Sequence, residues 1–222
     1  MRRLATRLWL LFMLLAGSAF AGGKPDFLID ADWLAERLNG PKLDPKLVLL
    51  EVRYHPHRHA TVGHIPGAVQ VQRFADLGAN DEMPIMRFPS RAAFQATLRR
   101  WGVNDDSTVV VYDDSSTALA SRVIYLLDLY GFDAKRVKLR DSQSQQWKSL
   151  TELAAMYRDV PRGHTVITYC HDGFRSTLAW LQLKALGYKD VRVYNGGWGD
   201  WDRTLTLPVV KGAKPFDADF DL

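Results

Sequence analysis

Residues 165–176 read TVITYCHDGFRS, and this stretch decides the fold. Residues 165–169 are too continuously apolar or β-branched for a half-exposed strand, so they predict a buried strand of a parallel sheet. A helix is predicted to begin near Ser176. Cys170 then lies in the loop between the carboxyl end of a strand and the start of a helix, where α/β proteins bind ligands.

The same alternation of strand and helix runs along most of the chain. Strands are predicted at Leu47–Val52, 108–112, 165–169 and 191–194, with another near Val137. Helices are predicted at Ala31–Leu38, 90–101, 117–130, 150–157 and 176–186. This order predicts an α/β fold with a mainly parallel sheet and helices on both faces.

The N-terminal residues 1–21 have the pattern of a secretory signal. Three arginines precede an apolar run and an Ala-x-Ala ending at Ala21. The run is shorter than the ~20 residues that span a bilayer, so we expect cleavage after Ala21 and no stable membrane insertion. The expected location is the periplasm or the exterior of the cell.

Composition excludes some classes of protein. With 47% hydrophobic and 24% charged residues, the 222-residue chain is typical of a globular protein and not of a disordered or fibrous one. The signal contains three arginines and no acidic residue, so its removal lowers the formal net charge from +4 to +1. No basic tract with interleaved aromatic residues indicates nucleic acid.

The loop after the predicted strand at residues 165–169 is the candidate site. Its members are Cys170, the only cysteine of the chain, and residues 171–176: His171, Asp172, Gly173, Phe174, Arg175 and Ser176. Gly173 lets successive amides converge on one point, and the following helix directs its positive dipole end at the loop. Arg175 adds a positive charge, so the loop favours a thiolate or another anion. The alternative is an inert packed thiol. His171 and Asp172 are expected to be exposed loop residues and not acid/base catalysts.

Several motifs resemble the rhodanese family of sulfurtransferases. The segment from Cys170 to Ser176 reads Cys-x-x-Gly-x-Arg-Ser, and a Val-x-Val-Tyr-Asn-Gly-Gly segment begins at Val191. Upstream, Leu50-Glu51-Val52-Arg53 precedes Gly63-His64-Ile65-Pro66-Gly67-Ala68, similar to the family's acidic-x-Arg and Gly-His-Ile-Pro-Gly-Ala motifs. The resemblance covers most of residues 27–204 and implies a rhodanese-like fold.

The chain also departs from the family's two-domain pattern. TVVVYD, ending at Asp113, repeats TVITYC, so Asp113 stands where Cys170 stands in the second copy. Residues 22–148 are therefore predicted to form a rhodanese-like domain without the catalytic cysteine. Residues 149–222 are predicted to form a partial unit that carries the active-site loop, because no second Gly-His-Ile-Pro-Gly turn precedes Cys170. This half could extend the first sheet or borrow strands from another subunit, and the sequence gives no oligomeric state.

The resemblance implies transfer of a sulfane sulfur from thiosulfate or a similar small donor to a thiol or cyanide through a Cys170 persulfide. Cysteine itself carries the sulfur, so no metal or organic cofactor is expected. One alternative is a non-catalytic binding or redox-sensing module. A cysteine-dependent phosphatase is a weaker one: such enzymes place arginine six positions after cysteine, whereas Arg175 is five after Cys170.

Histidines at positions 55, 57, 59 and 64 form another polar cluster. Alternating histidines can bind a transition metal, but without a nearby carboxylate pair a polar loop is the favoured interpretation. Relatives use basic side chains in this neighbourhood for anionic substrates. Arg58 is therefore included as a candidate substrate contact.

Overall fold

The computed structural model describes residues 24–79, 87–140, 147–204 and 206–209. The predicted signal at residues 1–21 lies outside these ranges, as does the tail at residues 210–222. No helix in the described ranges is long and apolar enough to cross a membrane.

Within the described ranges, seven strands form two parallel sheets. Five strands order as β1-β5-β4-β2-β3, and β6 and β7 pair with each other. The strand bounds are β1 Leu28–Ile29, β2 Leu47–Val52, β3 Val69–Val71, β4 Thr108–Asp113, β5 Val137–Arg140, β6 Val166–Thr168 and β7 Val191–Val193. The prediction of a mainly parallel α/β fold is confirmed.

Helices connect these strands. Their bounds are α1 Ala31–Leu38, α2 Arg58–Thr61, α3 Arg73–Leu77, α4 Arg91–Arg100, α5 Ala120–Leu129, α6 Leu150–Met156, α7 Ser176–Ala185 and α8 Gly197–Trp201, with a 3₁₀ turn at Ala134–Arg136. The longer helices begin at capping side chains where the sequence supplies them. Ser90 accepts from the Ala93 amide at 3.2 Å, and Ser149 and Glu152 form a capping box.

The central strands bury both of their faces, which explains their unbroken apolar sequence. Leu50 and Val111 belong to one buried cluster, whereas Leu49 and Val110 belong to another. Because successive side chains of a strand point to opposite faces, β2 and β4 must be covered on both sides. Helix α1 contributes Leu34 to one cluster, and α5 packs against the other face.

The partial unit does not extend the five-stranded sheet. Among the described residues, β6 and β7 pair with each other only. The repeat seen in the sequence is nevertheless present in the structure, since β4 is followed by α5 and its parallel neighbour β5, and β6 by α7 and its parallel neighbour β7.

Helices α5 and α7 join the two sheets. The hydroxyls of Ser121 and Thr177 are 2.9 Å apart in a buried hydrogen bond, and the Tyr125 and Trp180 rings meet edge to face with centroids 4.9 Å apart. Phe174 from the second half also belongs to the larger buried cluster. One hydrophobic core therefore spans both sheets and fixes the position of the Cys170 loop.

Candidate active site

Cys170 lies directly beyond the end of β6, at the entrance to the loop that leads into α7. Its thiol is free and partly exposed. The buried Thr168 supports this strand end, since its hydroxyl donates to the Ser176 carbonyl at 3.1 Å. The loop therefore begins and ends on the same short piece of sheet, with the thiol accessible from outside.

The carbonyl groups of the loop are held by donors from outside it. Trp198 N–H donates to the Cys170 carbonyl and Gly199 N–H to the His171 carbonyl, each at 2.8 Å. The Gly173 carbonyl accepts from Arg122 Nη1 and from the Ser176 hydroxyl, both at 3.0 Å. These bonds fix the loop through its carbonyls and leave its N–H groups for another partner.

Most amides of the loop are in fact unpaired. The Phe174 N–H donates to Asp172 Oδ1 at 3.1 Å. Within the described part of the chain, no acceptor bonds the N–H groups of the other five loop residues, which are His171, Asp172, Gly173, Arg175 and Ser176. Partly buried donors without acceptors, at the start of a ten-residue helix, favour an anion.

Two glycines are required by the geometry of this loop. Gly173 has φ +76°, in the left-handed region that favours glycine. Gly197 has φ +60°, and a Cβ placed there would lie 2.2 Å from the Cys170 carbonyl oxygen. The Gly-Gly pair at residues 196–197 therefore allows α8 to approach the cysteine loop and bond its carbonyls.

Asp172 is a charged residue that forms a hydrogen bond with the Cys170 thiol. Its Oδ1 accepts from the Cys170 thiol at 3.5 Å as well as from the Phe174 amide. The side chain is partly buried and not fully exposed as the sequence predicted. A carboxylate thus occupies part of the anion-favouring loop.

Arg122 lies behind the loop and was missed by the sequence reasoning. It is fully buried in α5, and besides Gly173 it donates to the Leu77 carbonyl through Nη2 at 3.0 Å. Burial lowers the pKa of Arg122 to about 10, while the charges of Asp172 and Cys170 oppose that shift. A lone arginine inside the apolar pattern of α5 is the sequence signal that could have found it.

The guanidinium groups of the two arginines predicted as site residues lie in different places. Arg175 is exposed at the start of α7. Arg58 pairs with Asp114, with 3.0 Å between Nη1 and Oδ2, in the loop that follows β4. Arg175 therefore belongs to the Cys170 loop, whereas Arg58 forms its ion pair with the loop that follows β4. His171 is exposed.

The first loop, residues 113–120, is filled by its own carboxylate. Asp113 Oδ1 accepts from the amides of Ser115 and Thr117 at 3.0 and 2.9 Å, and Oδ2 from those of Leu119 and Ala120, both at 2.8 Å. Desolvation raises the pKa of Asp113, and these four amides act against the rise. The amides of the first loop therefore bond a carboxylate of that loop, whereas most amides of the Cys170 loop have no acceptor among the described residues.

The histidine cluster has local partners. His59 Nδ1 bonds the buried Glu51 carboxylate, which also accepts from Arg53 Nε at 2.9 Å. The His59 ring stacks on His64 with centroids 3.7 Å apart. Among the described residues, no three metal-ligating side chains are grouped as a metal site would need. Glu51 therefore serves the ion pair that the acidic-x-Arg motif implied.

An aromatic groove of about 370 Å³ lies beside the cysteine loop. Its lining residues are Ile167, Tyr169, Tyr194, Gly197, Trp198 and Trp201. Tyr169 precedes Cys170 in the chain, and Trp198 supplies the amide that bonds the Cys170 carbonyl. The groove therefore lies next to residues that flank or bond Cys170, although Cys170 itself does not line it.

Comparison with known proteins agrees with the fold. Residues 30–150 and 133–204 match the rhodanese-like domain family. The thiosulfate sulfurtransferase of Corynebacterium glutamicum is 22% identical over 284 residues, which cover 85% of this chain and 91% of the relative. Together the fold, the cysteine loop and this relative define a transferase of the sulfurtransferase class. The chain belongs to the rhodanese-like family.

Solved structures show the same architecture. YnjE superposes with a TM-score of 0.71 at 17% identity, covering 85% of this chain and 69% of YnjE. SseA from Escherichia coli, described as showing the rhodanese fold and catalytic mechanism of 3-mercaptopyruvate sulfotransferases, superposes with a TM-score of 0.66 at 18% identity. That match covers 78% of this chain and 98% of SseA. At these identities the likeness establishes the fold alone.

Proposed function

We propose that the protein transfers a sulfane sulfur through a persulfide on Cys170. The observation that carries the proposal is the loop itself, in which the amides of residues 171–173, 175 and 176 have no acceptor among the described residues and an accessible thiol stands ahead of a helix. Amides and a helix terminus stabilise negative charge on sulfur. The buried Arg122 adds a positive charge behind the same loop.

The reaction has two steps that leave the protein unchanged. The Cys170 thiolate attacks the outer sulfur of thiosulfate or a similar donor. A sulfur–sulfur bond forms to Cys170, the sulfur–sulfur bond of the donor breaks, and sulfite leaves with the bonding electrons. A thiol or cyanide then attacks the terminal sulfur, takes it, and returns the Cys170 thiolate.

The direct test is the intact mass of the protein after incubation with a donor. The mature protein is expected to gain the mass of one sulfur atom with thiosulfate or 3-mercaptopyruvate and to lose it again on addition of cyanide. The matched control is Cys170→Ser, which removes the only thiol of the chain and is expected to show no gain. An unchanged wild-type mass with every donor would refute the proposal.

Turnover separates this proposal from a redox-sensing module. A sensor accepts sulfur or an oxidant once, whereas a transferase produces thiocyanate continuously from thiosulfate and cyanide. We expect thiocyanate well in excess of protein. Formation of at most one equivalent would favour the sensor instead.

A further inference from the structure

The carboxylate of Asp172 lies next to the Cys170 sulfur, the atom that an incoming sulfur donor must reach. Its Oδ1 lies 3.5 Å from the Cys170 sulfur and 3.1 Å from the Phe174 nitrogen. It therefore uses one of the loop amides and accepts the thiol proton. In this state the loop already holds one internal anion next to the reacting atom.

The first loop shows what a carboxylate does when it is fully enclosed at the equivalent place. Asp113 ends β4, while Cys170 lies two residues after the end of β6, and the Asp113 carboxylate bonds four backbone amides of its own loop. In this fold a side-chain anion can thus replace an external one. Asp172 does so only in part, because five amides around it have no acceptor in the described chain.

The positive charges to be weighed against Asp172 are those of the neighbouring arginines. Arg122 is buried, and its guanidinium donates to the carbonyls of Leu77 and Gly173. Arg175 is exposed, so its field is screened by water. The Cys170 thiolate and the Asp172 carboxylate together carry two negative charges, against the one positive charge of Arg122. A doubly negative donor would increase this excess of negative charge.

We propose that Asp172 is a specificity-determining residue, an internal anion that makes the Cys170 loop favour uncharged or singly charged reactants over dianions such as thiosulfate. The application of this preference to sulfur donors rests on the proposed function. The discrimination by charge is independent of that function, because it acts on any electrophile that reaches the thiol. Removing the charge while keeping the shape is expected to admit anions more readily.

The test compares two alkylating reagents of nearly equal shape, neutral iodoacetamide and anionic iodoacetate. In both reactions the Cys170 thiolate forms a sulfur–carbon bond, the carbon–iodine bond breaks, and iodide leaves with the electron pair. Cys170 is the only cysteine, so intact mass reports its modification. The same thiolate attacks both reagents, so the ratio of their rates is independent of how much thiolate is present.

In Asp172→Asn the rate ratio of iodoacetate to iodoacetamide is expected to rise about 10-fold, since a like charge a few ångströms from the reacting atom is removed. At about 0.5 M salt the rise is expected to shrink, because the charge is then screened. Asp172→Ser serves as a second variant and is expected to show the same direction. Arg175→Gln is expected to lower the ratio.

The matched control is Asp159→Asn, which changes net charge equally but removes an exposed carboxylate paired with Arg158. It is expected to leave the ratio unchanged. A ratio within twofold of wild type in both Asp172 variants would overturn the proposal. A changed ratio in protein that accepts sulfur from no donor would support this role of Asp172 and refute the proposed persulfide function.

Discussion

Gly197 shows how strongly a single residue constrains the cysteine loop. Its backbone is left-handed, and the Cys170 carbonyl oxygen occupies the space where a side chain would begin. The neighbouring amides of Trp198 and Gly199 bond the loop carbonyls at the same time. The loop therefore keeps its shape only while residue 197 has no side chain.

Gly197→Ala is expected to lower the free energy of unfolding by more than about 3 kcal/mol, because backbone strain and a collision with main-chain atoms combine. Urea unfolding measures the loss, and sulfur loading should fall with it. The control is Gly187→Ala, which has φ +83° but no atom within 4 Å of the added carbon. There we expect a loss of about 1 to 2 kcal/mol from the backbone alone. Equal losses in the two variants would contradict the steric argument.

The loops that follow β4 and β6 are the elements in which the two halves differ most. The first places Asp113 among its own amides, whereas the second leaves amides unpaired beside Cys170. The first loop also holds Ser116 and Thr117 at positive φ, although neither is glycine. The hydrogen bonds to Asp113 offset this unfavourable backbone, so the carboxylate stabilises the loop that it fills.

Asp113→Asn provides a test of this role through its dependence on pH. The pKa of Asp113 is raised by desolvation, so the folded state binds the proton more tightly than the unfolded state does. The contribution of Asp113 to the stability of the fold is therefore complete below its pKa in the unfolded state. That contribution is lost as pH rises through its pKa in the folded state. The stability difference between wild type and Asp113→Asn is expected to shrink as pH rises above about 4, the pKa of aspartate in the unfolded chain.

Urea unfolding at several pH values measures that difference. The variant cannot titrate at residue 113, so subtracting its stability cancels the other carboxyl groups. A difference that grows with pH would show that the four amides outweigh desolvation and lower the pKa of Asp113.

The sequence predicted the elements that depend on local pattern. The strands around Val48 and Val110 and the five longer helices were found, because burial on both faces and helical periodicity show in consecutive residues. The strands around Ile167 and Arg192 were also found, but the prediction that residues 165–169 form a buried strand is wrong, because Ile167 is 62% exposed and Tyr169 is 65% exposed. The short elements β1, β3, α2, α3 and α8 were not predicted, since three to five residues carry too little pattern, and β1 has only two.

Features that depend on distant contacts could not be predicted. Arg122 reaches Gly173 across 51 positions of sequence, and its role follows only from the packing of α5 against the loop. The pairing of β6 and β7 in a sheet of their own was equally hidden, because the sequence allowed an extended first sheet as well. The domain boundary near residue 148 and the role of residues 171–176 in holding sulfur stay predictions.

At the scale of the whole molecule, the two halves depend on one core. Phe174 and Trp180 of the second half lie in the same buried cluster as Val123 and Leu127 of α5. A two-stranded sheet is marginally stable by itself. The half that carries Cys170 is therefore expected to need the half that lacks a cysteine.

Residues 147–209 produced alone are expected to show no cooperative thermal transition by circular dichroism and no sulfur loading by mass. Their apolar surface would lack α5, and the Gly173 carbonyl would lack Arg122. The full mature chain is the control. A sharp transition and normal loading in the fragment would show that the first half is dispensable.

The solitary thiol at the end of β6 also determines how a bound sulfur atom can depart. No second cysteine exists anywhere in the chain to attack a persulfide and close a disulfide. Discharge must therefore await a nucleophile that arrives from solution through the partly exposed side of the loop. If Cys170 carries a persulfide as proposed, the lifetime of the loaded protein is expected to depend on the supply of that external nucleophile and not on an internal reaction.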